Sequence, residues 1–222
     1  MSVRASILDG MLEGMGDLLA SATGCYDAKR ASALAGVPKS TLYDWARKGV
    51  VVPSISPVQE KLWSFQDLLT LRAVHWLRKR KSQIPASPMA QVRAALEQTI
   101  RAGASPWVDA SVQILIDRSG KVFVRRSGVD VADVHGQAVI SDEIDLLGVF
   151  EDSPSLVRPT DHIVIAPSTL AGEPHLAGTR IGTLGLAALA EEGYDSRQIA
   201  SLYQLPEEQV QEAIGYEERL AA

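Results

Sequence analysis

Gly36-Val37-Pro38-Lys39-Ser40-Thr41-Leu42-Tyr43-Asp44-Trp45-Ala46-Arg47-Lys48-Gly49 is the stretch whose reading decides the fold. Gly36-Val37 predicts a sharp turn, and Pro38 stands where a second helix begins. That helix runs to Lys48 and stops at Gly49, a natural residue just past a helix end. Upstream, Asp27 is a good N-cap for a short helix through Leu34. Downstream, Val50 to Trp63 combines apolar positions, two prolines and a polar tip, which suits a β-wing. Ser64, followed three residues later by Asp67, opens a helix through Arg80.

On the helix from Pro38, the spacing turns Leu42, Trp45 and Ala46 toward a core. Ser40, Tyr43, Asp44 and Arg47 then share the opposite face at i, i+3, i+4 and i+7, flanked by Lys39 and Lys48. Such a face supplies what major-groove reading requires. An arginine forks onto a guanine edge, the hydroxyls of Ser40 and Thr41 reach bases or phosphates, and an acid accepts from cytosine. Lys29 and Arg30 on the preceding helix and Lys61 on the wing are candidates to neutralise phosphates. A surface helix with mixed charge is the plain alternative.

The charge balance favours DNA. Residues 1–104 hold fourteen Lys and Arg against eight Asp and Glu, whereas residues 105–222 hold eight against nineteen. A polyanion suits the first part, and a neutral or basic partner suits the second. The single cysteine, Cys25, excludes an internal disulfide framework and fits a reducing cytoplasm. No apolar run reaches the roughly 18 residues of a membrane span, and Asp9, Glu13 and Asp17 interrupt any signal-like segment. The four histidines show no ligand spacing. No P-loop, nucleophile elbow or paired-carboxylate signature marks an enzyme, and no cofactor is expected.

Residues 5–21 repeat apolar side chains at helical spacing, interrupted by Gly10, Gly14 and Gly16, and suit either a dimer contact or a helix on its own core. A helix is expected over 88–102 and a hairpin over 111–126, with its turn at Arg118-Ser119-Gly120-Lys121. Residues 127–160 give no clear period beyond short strands and acidic loops. A strand at 163–165, a Gly/Pro-rich stretch and three helices near 183–192, 196–203 and 206–219 complete the chain.

An internal echo links the two ends. At an offset of 168 residues, Asp27, Ala31, Leu34, Val37, Pro38 and Leu42 match Asp195, Ile199, Leu202, Leu205, Pro206 and Val210. The second copy, however, carries Glu207, Glu208, Glu212, Glu217 and Glu218 against a single Arg219, which would repel a phosphate lattice. A protein contact through Glu207, Glu208 and Glu212 fits it better.

Two resemblances sharpen the reading. Tyr26, Ala31, Leu34, Gly36-Val37, Thr41-Leu42, Trp45, Lys48-Gly49-Val50 and Pro53 resemble the winged helix-turn-helix of MerR-type regulators and excisionases over residues 26–80. The chain departs at Tyr43, where such helices often carry Arg, and the long dimerising coiled coil of MerR regulators is not evident after Arg80. Residues 160–219, with Ala171-Gly172-Glu173-Pro174, Gly178-Thr179-Arg180 and Glu192-Gly193-Tyr194, are similar to a small domain that recurs in antitoxins, including VapB-type proteins. That resemblance implies a toxin partner, a PIN-domain ribonuclease. It also leaves two readings for Arg180: insertion into the toxin's acidic site, or a loop folded back onto Glu191 or Asp195.

The expectation is therefore a predominantly helical α+β chain. It comprises an N-terminal arm (1–25), a winged helix-turn-helix (26–82), a linker helix with a small central β-containing segment (83–159), and a C-terminal β-hairpin plus three-helix domain (160–222). Its expected role is that of a cytoplasmic homodimeric antitoxin that represses its own operon at double-stranded operator DNA. The alternative is a stand-alone MerR-like or excisionase-like regulator without a toxin.

Overall fold

The computed structural model describes residues 24–80, 84–101, 112–126, 132–133, 143–145 and 156–221. The helix expected over 5–21 lies outside them. Among the described residues the chain is a predominantly helical α+β protein with seven α-helices and two small antiparallel sheets.

Helix α1, Ala28–Ala35, starts where Asp27 accepts a hydrogen bond from the Arg30 backbone N–H at 2.7 Å and ends at Gly36, whose φ of 65° few other residues hold without strain. Helix α2, Lys39–Arg47, follows Pro38 and is closed by Gly49, also left-handed, with the Val50 N–H returning to the Trp45 carbonyl at 2.9 Å. Helix α3, Phe65–Arg78, opens with a complete capping box between Ser64 and Asp67. The wing is a loop held by two isolated bridges, Ser56 with Leu62 and Tyr26 with Trp63, rather than a regular strand pair.

Helix α4, Met89–Arg101, packs against the first sheet. Strands β1 (Val112–Asp117) and β2 (Val122–Arg126) form the expected hairpin, its turn gathered by the Asp117 carboxylate, which accepts from the Ser119 N–H and hydroxyl and the Lys121 N–H. The segment unread from sequence adds β3 (Ala132–Asp133) and β4 (Glu143–Asp145), giving an antiparallel order β3-β2-β1-β4. Two- and three-residue strands are too short to show a period of two.

Strands β5 (Ile163–Val164) and β6 (His175–Leu176) make a second hairpin. It is followed by α5 (Thr183–Glu191), α6 (Ser196–Tyr203) and α7 (Glu207–Ala221). One buried apolar cluster runs from Tyr26, Leu42, Trp63 and Phe65 through Val92 and Ile114 to Ile163, Leu186, Val210 and Tyr216. The echo is real in outline: Asp195 caps α6 with a capping box, and Ala31, Ile199, Leu42 and Val210 are all buried. It fails at one position. Leu34 is 5% exposed, while its counterpart Leu202 is 66% exposed.

Residues 25–30 meet the C-terminal region at a seam. The Cys25 N–H donates to the Ala171 carbonyl at 2.9 Å, and the Tyr26 hydroxyl donates to the Gly172 carbonyl at 2.8 Å. Arg30 forks onto both oxygens of Glu217 at 2.7 and 2.8 Å and donates through Nε to Glu173 at 2.8 Å. Thr183 donates its hydroxyl to the same Glu217 carboxylate. No helix among the described residues is long and apolar enough to cross a membrane.

Candidate nucleic-acid interface

Helix α2 buries Leu42 and Trp45, half-buries Ala46 and turns its other face outward. Between that face and the wing lies a cleft of about 510 Å³, lined among others by Ser40, Tyr43, Asp44, Arg47, Pro53 and Lys61. Five residues singled out from sequence thus come together in one concavity. Tyr43 is held there by an edge-on contact with the buried Trp63 ring, at 6.2 Å between centroids. Lys39 and Lys48 are exposed on the same helix outside the cleft lining, and Thr41 is half-buried.

Asp44 does not present free oxygens. One accepts from Arg47 at 2.6 Å and the other from Lys48 at 2.7 Å. Hydrogen bonds from Lys48 and then Arg47 hold its carboxyl below the usual carboxylate range. The acid is therefore a clamp on two cations and not a ready acceptor for cytosine. Lys61 donates to the Pro57 carbonyl at 2.9 Å, which fixes its ammonium within the wing.

Arg30 is a correction. It was expected at a phosphate, but its guanidinium is only 13% exposed and all three of its nitrogens point to carboxylates of the C-terminal region. Burial alone would lower its pKa, and Glu217 and Glu173 more than reverse that. Burial pushes the Glu217 carboxyl up, while Arg30 and Thr183 hold it below its ordinary range. Glu173 remains raised by burial in spite of Arg30. Lys29, next to Arg30, is exposed but lines a groove toward α5 and α7, not the cleft of α2.

The residues read as protein-facing separate in the same way. Glu208 is exposed. Glu207 accepts from Ser196 at 2.8 Å, Gln211 at 3.0 Å and Arg197 at 3.3 Å, closing the turn between α6 and α7. Glu212 is taken up within the domain: one oxygen accepts the His162 backbone N–H at 3.0 Å and the other lies 2.6 Å from His162 Nδ1. Arg180 pairs with neither Glu191 nor Asp195. It is exposed and makes no hydrogen bond or ion pair among the described residues.

The His162–Glu212 pair predicts a pH dependence. The hydrogen bond to Glu212 raises the His162 pKa above the ordinary imidazole value. Its stabilisation is then fully present below about pH 6.5 and is lost as pH rises through the higher folded pKa. Glu212→Gln should abolish that step in a series of melting curves between pH 5 and 9. An unchanged step would assign it elsewhere.

Sequence reasoning missed Tyr26, Gly172, Glu173 and Glu217 as one set, because their partners stand 143 to 187 residues apart. No local period reports such contacts.

No curated protein matches the chain. The structure is similar to the X-ray crystal structure of Rv2018 from Mycobacterium tuberculosis at a TM-score of 0.50 and 16% identity, covering 85% of this chain and 96% of that one. This is a likeness of fold. Residues 163–216 match a family described as a protein of unknown function, DUF433. Residues 26–87 match the MerR HTH family regulatory protein, so this end of the chain carries the helix-turn-helix of a DNA-binding regulator.

Proposed function

We propose that the chain is an antitoxin that reads its own operator as a homodimer through the α2–wing cleft and holds a toxin, a PIN-domain ribonuclease, through its C-terminal region. The chain then divides functionally at 26–82, 83–159 and 160–222. The observation that carries the DNA half is the cleft shared by Ser40, Tyr43, Arg47 and Lys61 on a basic surround. Lys39 and Lys48 flank it and serve the phosphates. One such unit covers a half-site, which favours a two-fold assembly on a palindrome.

Support for the toxin half comes from the resemblance of residues 160–219 to antitoxin domains and from the acidic balance of the C-terminal half. A carboxylate-rich helix face cannot sit on DNA.

A salt titration of affinity for the promoter DNA of the chain's own gene tests the first half. Arg47→Ala should relax sequence preference by about 1–3 kcal/mol, whereas Lys61→Ala should reduce the salt slope by about 1. Asp44→Ala releases Arg47 and Lys48 from their clamp. Non-specific affinity should therefore rise and the slope steepen by about 1. If none of the three alters binding, the cleft is not the reader. Co-purification with the product of the neighbouring reading frame, and rescue of growth against it, test the second half. Failure of both leaves a stand-alone regulator.

A further inference from the structure

We infer that the cleft between the β6–α5 loop and α6 is where an amphipathic helix of a second protein docks, with a carboxylate on that helix meeting Arg180. The inference rests on the toxin-binding reading above. The cleft has a volume of about 480 Å³ and is lined by Leu170, Arg180, Ile181, Leu184, Gly185 and Tyr203, among others.

Three observations carry it. The first is apolar exposure. Leu184, Leu202 and Tyr203 are 57%, 66% and 39% exposed. Leu202 and Tyr203 stand three and four positions after the buried Ile199, at the two margins of the strip by which α6 meets its own core. The second is the broken symmetry of the echo. Leu34, the counterpart of Leu202, is buried on α1, whereas Leu202 stays open on α6 although α5 and α7 both pack against that helix. Leu202 is thus an apolar position that the fold itself leaves unused. The third is charge. Glu173 also lines the cleft, but its carboxylate is bound to Arg30, so Arg180 is the cation there without a partner among the described residues. An apolar floor with one lone guanidinium fits a helix carrying leucine-like anchors and a single acid.

A second copy of this chain fits less well. An isologous contact through the cleft brings two Arg180 side chains into one interface, and a heterologous one does not close into a two-fold dimer. DNA is disfavoured by the acidic surround.

Gly185 supplies a clean probe. A Cβ added there meets nothing within 4 Å, so Gly185→Arg fills the cleft without disturbing the fold. The purified product of the neighbouring reading frame is titrated into wild type, Gly185→Arg, Arg180→Glu and Leu184→Asp, with amide shifts followed by NMR. Each variant should weaken binding by about tenfold or more, and the shifts should centre on Leu184, Gly185 and Tyr203. Binding to wild type and to all variants alike overturns the cleft while leaving the toxin reading intact. No binding to wild type overturns both. Loss of the dimer in Gly185→Arg assigns the cleft to a second copy. Protection of Leu184 and Tyr203 in the free protein that disappears when residues 1–23 are removed assigns it to the chain's own N-terminal segment. Either of these results overturns the proposal.

Discussion

Arg30→Ala is expected to lower the stability of the chain by about 3–5 kcal/mol, the cost of leaving a buried carboxylate without its partner. Glu217 is 7% exposed, and Arg30 supplies two of the hydrogen bonds that keep it charged. At this chain length the loss corresponds to a fall of about 6–20 °C in melting temperature. The pH profile should change sign as well. In the native protein the lowered Glu217 pKa contributes stability that is present above its unfolded value and lost as pH falls through the folded one. Without Arg30 the burial that already opposes ionisation prevails and the pKa rises. The variant's deficit then grows with increasing pH and shrinks on acidification. Arg30→Leu combined with Glu217→Leu should recover part of the loss, because the most buried carboxylate goes with its partner while Glu173, 33% exposed, still loses Arg30. The salt slope of DNA binding, measured where the variant is folded, should not move. A decrease of about one in that slope would restore Arg30 to the DNA interface.

Gly172→Ala is the second large effect. Gly172 has a φ of 88°, and a Cβ there would lie 2.1 Å from the Tyr26 hydroxyl oxygen and 2.8 Å from Cζ of its ring. The left-handed backbone costs a side chain about 1–2 kcal/mol, and forcing the tyrosine aside adds about 1–3 kcal/mol. The displaced hydroxyl also loses its bond to the Gly172 carbonyl, worth about 1 kcal/mol. Together these cost about 3–6 kcal/mol, readable by urea denaturation. Tyr26→Phe alone should cost only about 1 kcal/mol. The double variant should be less destabilised than the two single losses added, because removing the hydroxyl removes the worst of the clash. Strict additivity would mean that Tyr26 and Gly172 do not meet in solution.

What the sequence made legible was local chemistry. Asp27, Ser64 with Asp67, and Asp195 each announce a helix start through a side chain and a backbone N–H only three positions away. Gly36 and Gly49 announce the stops for the same reason. The inner and outer faces of α2 follow from its 3.6-residue period, and five of its expected outward or wing residues do share a cleft. Illegible were the features fixed by distant partners. Arg30 has the charge and position of a phosphate contact, and only Glu173 and Glu217 reveal otherwise. Leu34 and Leu202 occupy equivalent steps of the same pattern, and their opposite burial depends on which neighbour is packed above them. Glu212 reads as a surface acid until His162 is brought against it. Residue type sets what a group is able to do, while long-range packing decides which of those options is taken.

The seam also has a meaning for how the chain is made. Tyr26 and Arg30 belong to the first helical unit among the described residues, yet their partners Gly172 and Glu217 lie 146 and 187 residues later. During translation the helix-turn-helix can form its own turns, but Arg30 stays without its carboxylates until Glu173 and then Glu217 have emerged. Contacts of such sequence separation slow the last stage of folding. Emergence of Glu217 is thus the step that locks the helix-turn-helix into its final setting, and translation products ending before Glu217 should be selectively degraded.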